Sequence, residues 1–294
     1  MNPTRDLPIG VFDSGVGGLT VLKAMRERLP CEDVVYLGDT ARLPYGTKSP
    51  STVSSYALQC AAELIDRRIK LLVVACNTAS SVALQPLRDA HPDLPVVGVV
   101  EPGADAACQA TRNNVVAVIA TESTIAGNAY QRAIHARNPD ARILAHPCPL
   151  FVSLAEEGWT EGDIAEAVAA RYLDPIFNPA SGSAHPVAPD TLVLGCTHFP
   201  LLAPAIKNVL DNTAIIVDSA ATTAETVHAE LSRLDLRRSD QDCGRTVYLT
   251  TDDAARFART GSRFLASPIP AHEVELVDIG CLRRLGEGGE GNPL

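Results

Sequence analysis

No CxxC pair occurs in this 294-residue chain. That absence argues against clustered structural zinc sites and against a paired redox motif. The eight cysteines, Cys31, Cys60, Cys76, Cys108, Cys148, Cys196, Cys243 and Cys281, stand far apart. Disulfide-stapled scaffolds are far denser in cysteine, so these are read as thiols of a reducing compartment. Basic runs are also missing. Apart from Arg67-Arg68-Ile69-Lys70 and Arg237-Arg238, nothing interrupts a balance of 35 acidic to 25 basic residues and a net charge of −10. Neither nucleic acid nor an anionic membrane surface is therefore an expected partner. No window approaches the roughly 18 apolar residues of a membrane helix. Asp6 and Asp13 come before any stretch that could serve as a signal peptide. The expected location is the cytoplasm.

What is present is a chain that is 46% hydrophobic and 20% charged, enough for sizeable cores. At roughly 150 residues per domain, its length predicts two. Short apolar runs alternate with amphipathic ones, as in βα units around a parallel sheet. Strands are expected at 8–12, 33–37, 71–75, 96–100, 115–120, 142–145, 192–194, 215–217 and 246–250. Helices are expected at 19–28, 51–68, 126–136 and 164–172. Leu71-Leu72-Val73-Val74-Ala75 has the continuous apolar character of a strand buried on both faces. Glu101-Pro102-Gly103 reads as a hinge turn, and 174–190, with Pro175, Pro179, Pro186 and Pro189, as a loop. The segments KLLVVACNTAS and DTLVLGCTHFP share one plan: apolar strand, small residue, cysteine, then polar residues opening a helix. They lie about one domain length apart.

The expected fold is therefore α/β: two similar Rossmann-like domains with mostly parallel sheets facing across a central cleft. Residues 286–294 are read as a disordered tail.

Cys76 and Cys196 each follow a buried strand, and ligands bind at the carboxyl ends of such strands. A helix amino terminus there lowers a thiol pKa and attracts an anionic group. One such cysteine suits a nucleophile. Two in matching places suit a proton transfer from one face of a carbon to the other, and two buried structural cysteines remain an equal alternative. The remaining cysteines, apart from Cys148, read as small buried hydrophobes. The turn Asp13-Ser14-Gly15-Val16-Gly17-Gly18 lacks the full dinucleotide fingerprint. It reads as a backbone nest for a small anion, or as a tight βα turn needing positive φ. Loop residues Asp39 to Gly46, the hydroxyls from Thr121 to Thr124, and His198 beside Cys196 are further candidates.

Assembled in order, IGVFDSGVGGLTVL, YLGDTARLPYGTKS, VVACNTASS, VVGVVEPGA, CPLFVSLAEEG, LVLGCTHFPLL and VDSA span residues 9–220. The chain in this respect resembles the bacterial glutamate racemases of the cofactor-independent aspartate/glutamate racemase superfamily. The resemblance implies interconversion of L- and D-glutamate, the D-form serving peptidoglycan synthesis. It implies two acid/base cysteines, matched by Cys76 and Cys196, with Asp13, Asp39, Glu156 and His198 assisting. Substrate contacts would fall on Asp13, Ser14, Tyr45, Gly46, Asn77, Thr78, Thr121, Thr124, Thr197 and His198. It also implies two domains, 1–98 plus 210–285 carrying Cys76 and 99–209 carrying Cys196. The chain departs from the family pattern at Ala120-Thr121 and at Ser153.

No lysine ends a strand, as a pyridoxal Schiff base would need; only Lys23, Lys48, Lys70 and Lys207 exist. No cofactor and no metal are expected. Glutamate is the expected small-molecule partner, and a homodimer is compatible with the sequence. A racemase of a related substrate such as aspartate, and a catalytically silent ligand-binding protein, stand as alternatives.

Overall fold

The computed structural model describes residues 3–178, 187–238 and 242–279. The tail at 286–294, Cys281 and positions 179–186 of the expected Pro-rich loop lie outside them. The strands are β1 (Ile9–Asp13), β2 (Val34–Gly38), β3 (Leu71–Val74), β4 (Val96–Gly98), β5 (Val115–Ala120), β6 (Arg142–Pro147), β7 (Thr191–Gly195), β8 (Ile215–Asp218), β9 (Thr246–Thr250) and β10 (Val274–Leu276). The helices are α1 (Leu19–Arg28), α2 (Pro50–Asp66), α3 (Asn77–Val82), α4 (Leu84–Ala90), α5 (Val100–Ala110) and α6 (Glu122–Ala126). They continue with α7 (Ala129–Arg137), α8 (Leu150–Glu157), α9 (Asp163–Phe177), α10 (Ala203–Val209), α11 (Ser219–Arg233) and α12 (Ala254–Leu265).

The strands form two sheets, one in the order β10-β9-β2-β1-β3-β4 and the other β6-β5-β7-β8. Every pairing among the described residues is parallel. β1, β2, β3, β5 and β7 are buried along their whole length, which explains why they read as continuous apolar runs rather than alternating ones. One buried cluster reaches from Ile9 and Leu19 through Phe199 and Leu231 to Phe257 and joins the two sheets. Separate clusters cover the outer faces, around Ala57 and Leu87 for the first sheet and Val100 and Ile134 for the second.

Local sequence explains most boundaries. Ser49 caps α2, accepting the Thr52 N–H, with Pro50 as the first helical residue, where its fixed φ suits the helix and its missing N–H costs nothing. The same logic corrects the expected hinge at Glu101-Pro102-Gly103. These residues form the first turn of α5, since proline in a first turn removes an N–H that has no intrahelical acceptor anyway. The expected helix at 126–136 is broken by Asn128, which adopts φ 52°. The expected loop from 174 begins late. α9 runs through Pro175 to Phe177, where Ile176 and Phe177 are buried.

The expected return to the first domain at residue 210 precedes β8, which pairs with β7 in the second sheet. By strand pairing the second unit extends to Asp218, and the chain crosses back along α11, which packs on both α1 and α5.

Candidate active site

Each sheet reverses its strand order beside its first strand: β1 lies between β2 and β3, and β5 between β6 and β7. Ligand crevices form at such switch points, outside the carboxyl ends of the strands. Register then decides which residues emerge there. Asp13 pairs with Gly38, and Phe12 with Val74, so Asp13, Asp39 and Cys76 leave one edge together. Ala120 pairs with Gly195 and Pro147, so Thr121, Cys196 and Cys148 leave the other.

A cavity of about 190 Å³ lies between these two edges. Its wall includes Ser14, Tyr45, Gly46, Cys76, Asn77, Thr78, Thr121, Cys196 and His198 among the expected residues. Pro44, Thr47, Glu122, Pro149, Val152 and Ser153 complete it. Both thiols are almost fully buried, Cys76 at 5% exposure and Cys196 at 6%. Asp13, Asp39, Thr124, Glu156 and Thr197 are not on the wall and stand behind it.

Cys76 occupies the N-cap of α3, its Sγ accepting the Ala79 N–H at 3.5 Å and lying 3.7 Å from Ser14 Oγ. Burial and the nearby Asp13 carboxylate push its pKa up to about 12, against the pull of the Ala79 N–H and Ser14. Asp13 is fully buried; its Oδ2 accepts the Gly15 N–H at 2.9 Å. Its Oδ1 has no hydrogen-bond partner among the described residues. Burial raises the Asp13 pKa, opposed by the His198 charge and by main-chain N–H groups of the turn.

The other side of the cavity is built differently. Cys196 Sγ lies 3.8 Å from His198 Nδ1, and His198 Nε2 lies 3.3 Å from Glu156 Oε1 on α8. Burial disfavours the imidazolium. The Cys196 sulfur, the Glu156 carboxylate and the Asp13 charge outweigh that, and the His198 pKa is raised to about 10. Correspondingly, the bond to His198 holds the Glu156 carboxyl below its usual value, despite burial. The His198 imidazole thus lies beside Cys196, and the Asp13 carboxyl group acts on Cys76.

Hydroxyls close the seam between the units. Thr78 Oγ1, on α3, lies 3.1 Å from both Thr121 Oγ1 and Thr124 Oγ1, which are 3.0 Å from each other. Asn77 Nδ2 donates to Tyr130 OH at 2.8 Å, while Asn77 Oδ1 is buried and has no hydrogen-bond partner among the described residues. A Cβ on Gly46 would lie 2.8 Å from Thr121 Cβ, so glycine lets the Tyr45 turn approach the second unit.

Asp39 has no free oxygen to offer the cavity. Its Oδ2 accepts from Arg42 Nε at 2.7 Å and from Tyr45 OH, and its Oδ1 accepts from Thr251 Oγ1 at 3.0 Å. Arg42 in turn lies 4.1 Å from the Tyr56 ring centre and 3.7 Å from Cys60 Sγ. Tyr45, which lines the cavity, is thus held by Asp39 from behind.

Three expectations change. The turn glycines Gly15, Gly17 and Gly18 do not adopt positive φ, which among described glycines occurs only at Gly158 and Gly162. Close packing explains them instead: a Cβ on Gly18 would lie 2.6 Å from Asp13 Cβ. Cys243 is exposed, and Cys31 and Cys108 are half-buried, so these are not core residues. Cys60 touches the Arg42–Tyr45 network and is more than a space-filler. Sequence reasoning missed Thr251, which holds Asp39, and Phe264, whose ring meets His198 edge-on at 5.0 Å. It also missed Tyr130 behind Asn77. Nothing local marks these three, because they reach the site by tertiary packing.

Among the described residues, no group of three or more His, Cys, Asp or Glu could hold a metal. Among the same residues, no helix is long and apolar enough to cross a membrane.

Two parallel sheets, each with a cysteine just beyond the carboxyl end of an inner strand and both thiols lining a shared cavity, define an α/β protein equipped for acid/base chemistry on a small molecule. The model of the Asp/Glu/Hydantoin racemase family matches residues 9–227. The glutamate racemase of Geobacter metallireducens is 49% identical over 261 residues, covering 89% of this chain and 93% of that protein. The solved glutamate racemase of Francisella tularensis, in complex with D-glutamate, superposes with a TM-score of 0.84 at 36% identity. That match covers 94% of this chain and 98% of the Francisella chain. The Thermus thermophilus enzyme, in complex with beta-chloro-D-alanine, gives 0.81 at 41% identity over 94% and 98% of the two chains. The chain belongs to the Asp/Glu/Hydantoin racemase family.

Proposed function

We propose that this protein interconverts L- and D-glutamate by a two-thiol acid/base mechanism without a cofactor, supplying D-glutamate for peptidoglycan. The observation that carries the reading is the pair Cys76 and Cys196, each at the end of a buried strand and both on the wall of one cavity.

In one direction the Cys196 thiolate, beside the His198 imidazolium, takes the α-proton of glutamate. The Cys76 thiol, whose pKa is raised to about 12, gives a proton to the opposite face. The reverse direction starts with the thiol states exchanged, and each turnover leaves the enzyme with its proton on the other side. Asp13 and the His198–Glu156 pair are the groups through which the thiols regain their starting states. The α-proton is very weakly acidic, so the carbanion needs preorganised donors. Ser14, Asn77, Thr78 and Thr121 supply neutral ones, and the substrate ammonium supplies charge. The wall includes no Lys or Arg, so the substrate carboxylates are received by hydroxyl, amide and main-chain N–H groups.

Asp13, Asp39, Glu156 and His198 assist as proposed from the resemblance, with Asp39 working through Tyr45. A homodimer and a cytoplasmic location belong to the same proposal. The seven described cysteines are free, as a reducing compartment requires, and light scattering tests the dimer.

The decisive experiment is incubation of pure protein with L-glutamate in D₂O. Loss of optical rotation together with α-deuteration is expected. Retention of both the rotation and the α-proton, with racemisation of another amino acid instead, would assign a different substrate to the same cavity.

A further inference from the structure

α12 belongs to the first unit, packing on α1 and beside β10, yet two adjacent residues of it reach across to the second. Phe264 meets the His198 ring edge-on, and Arg263 Nη1 donates to the main-chain carbonyl of Glu156 at 2.7 Å. Glu156 lies in the last turn of α8, where carbonyls have no intrahelical partner and a cation is favoured. Gly158 follows at φ 79° as the left-handed cap. The Arg263 guanidinium lies beside this cap, its Nη1 3.4 Å from where a Cβ on Gly158 would stand. Glu156 and His198 are thus gripped at both ends of their pair by consecutive residues of one helix from across the cleft.

We propose that Arg263 is a positioning residue for the proton relay of Cys196. By holding the Glu156 carbonyl, it fixes the end of α8 so that the Glu156 carboxylate stays bonded to His198. Arg263 touches neither thiol and does not line the cavity. Its effect therefore passes through the geometry of Glu156. The inference rests on the racemase reading for its kinetic consequence, but its physical consequence can be read without turnover.

The groups facing His198 are Cys196 and Glu156 from the second unit and Asp13 from β1, with Arg256 of α12 acting on Glu156. Loss of the Glu156 contact removes one of the influences that raise the His198 pKa, so its titration midpoint moves to lower pH.

The test compares Arg263→Met, which keeps the apolar stem and removes the donor, with Arg263→Lys, which restores a donor to a single carbonyl. The first readout is NMR titration of ring-labelled histidine, with the His198 signal assigned from His198→Gln. Arg263→Met should lower the His198 midpoint by about one pH unit, and Arg263→Lys should recover most of it. The second readout is racemisation: kcat should fall about tenfold in Arg263→Met with the alkaline limb moved in the same sense. An unmoved His198 midpoint in Arg263→Met overturns the proposal, whatever happens to the rate. A rate loss that Lys does not repair, or that leaves the pH profile in place, marks Arg263 as a structural contact only and overturns it too. If the parent protein shows no α-proton exchange with glutamate, the racemase reading fails while the NMR titration still decides the role of Arg263.

Discussion

Gly17, in the turn after β1, sits so close to Thr197 that a Cβ in its place would lie 2.3 Å from Thr197 Oγ1 and 2.5 Å from His198 Nδ1. Thr20, at the start of α1, donates from Oγ1 to the Thr197 carbonyl at 3.1 Å. The glycine turn that reads in the sequence as an anion nest or a tight βα turn is therefore a surface on which the two units meet beside Cys196. Gly17→Ala should push Thr197 and His198 away and reduce kcat by about 10²-fold, the scale expected for ångström misplacement of catalytic groups. Steady-state kinetics, together with circular dichroism to confirm a retained fold, checks this. Near-normal kcat would mean that the units part without cost.

In the proposed mechanism Cys76 and Cys196 each carry one of the two proton transfers of racemisation, so neither can act without the other. Cys76→Ala and Cys196→Ala should each lower racemisation by at least about 10²-fold in both directions, the usual contribution of a positioned acid or base. Groups that act as a unit are non-additive. The double variant should accordingly be little worse than the poorer single variant. Near-normal racemisation in either single variant would sink the two-thiol assignment.

Asp39 accepts from Arg42, Tyr45 and Thr251 and offers nothing to the cavity. Its loss should therefore act on substrate binding through Tyr45 more than on chemistry. Asp39→Asn should raise KM for glutamate about tenfold while changing kcat less, in the manner of a lost binding contact. It also leaves the Arg42 guanidinium without its anion beside a fully buried position, which should cost about 3 kcal/mol of stability. A kcat collapse with unchanged KM would instead place Asp39 in the chemistry.

The cysteines were legible because each ends an uninterrupted apolar run, and a run of that kind forms a strand buried on both faces. Strand register then carries Asp13, Asp39 and Thr121 to the same edges, so most of the wall follows once the sheets are granted. Glu101-Pro102-Gly103 was misread because proline and glycine punctuate turns by default, while a proline two residues into a helix is harmless. α12 was not legible as part of the site. Its Arg263 and Phe264 act by reaching across to the other unit, and no local pattern encodes that destination. Thr251 escaped for the same reason, as a residue after β9 that meets Asp39 only because β9 pairs with β2.

Asp13 is the position where stability and activity should part. Burial raises its pKa above the ordinary carboxylate value, so the folded state binds this proton more tightly than the unfolded one. Stability from this group is greatest below pH 3.8, the ordinary value, and declines as pH rises from there through the raised folded pKa. His198 runs with a different window: its pKa is raised to about 10, so its contribution is complete below the ordinary value of about 6.5 and is lost as pH climbs toward 10. Asn at position 13 keeps an acceptor for the Gly15 N–H and removes the buried charge. Asp13→Asn should therefore flatten the decline of the urea midpoint as pH rises above the ordinary carboxylate value of 3.8. It also removes the carboxyl group that acts on Cys76, and racemisation should fall by about 10²-fold. Urea titrations of both proteins across pH 4 to 9, paired with racemisation rates, test the two effects together. A variant whose urea midpoint declines as steeply as the parent's and that is fully active would falsify both the electrostatic reading of Asp13 and its place beside the Cys76 thiol.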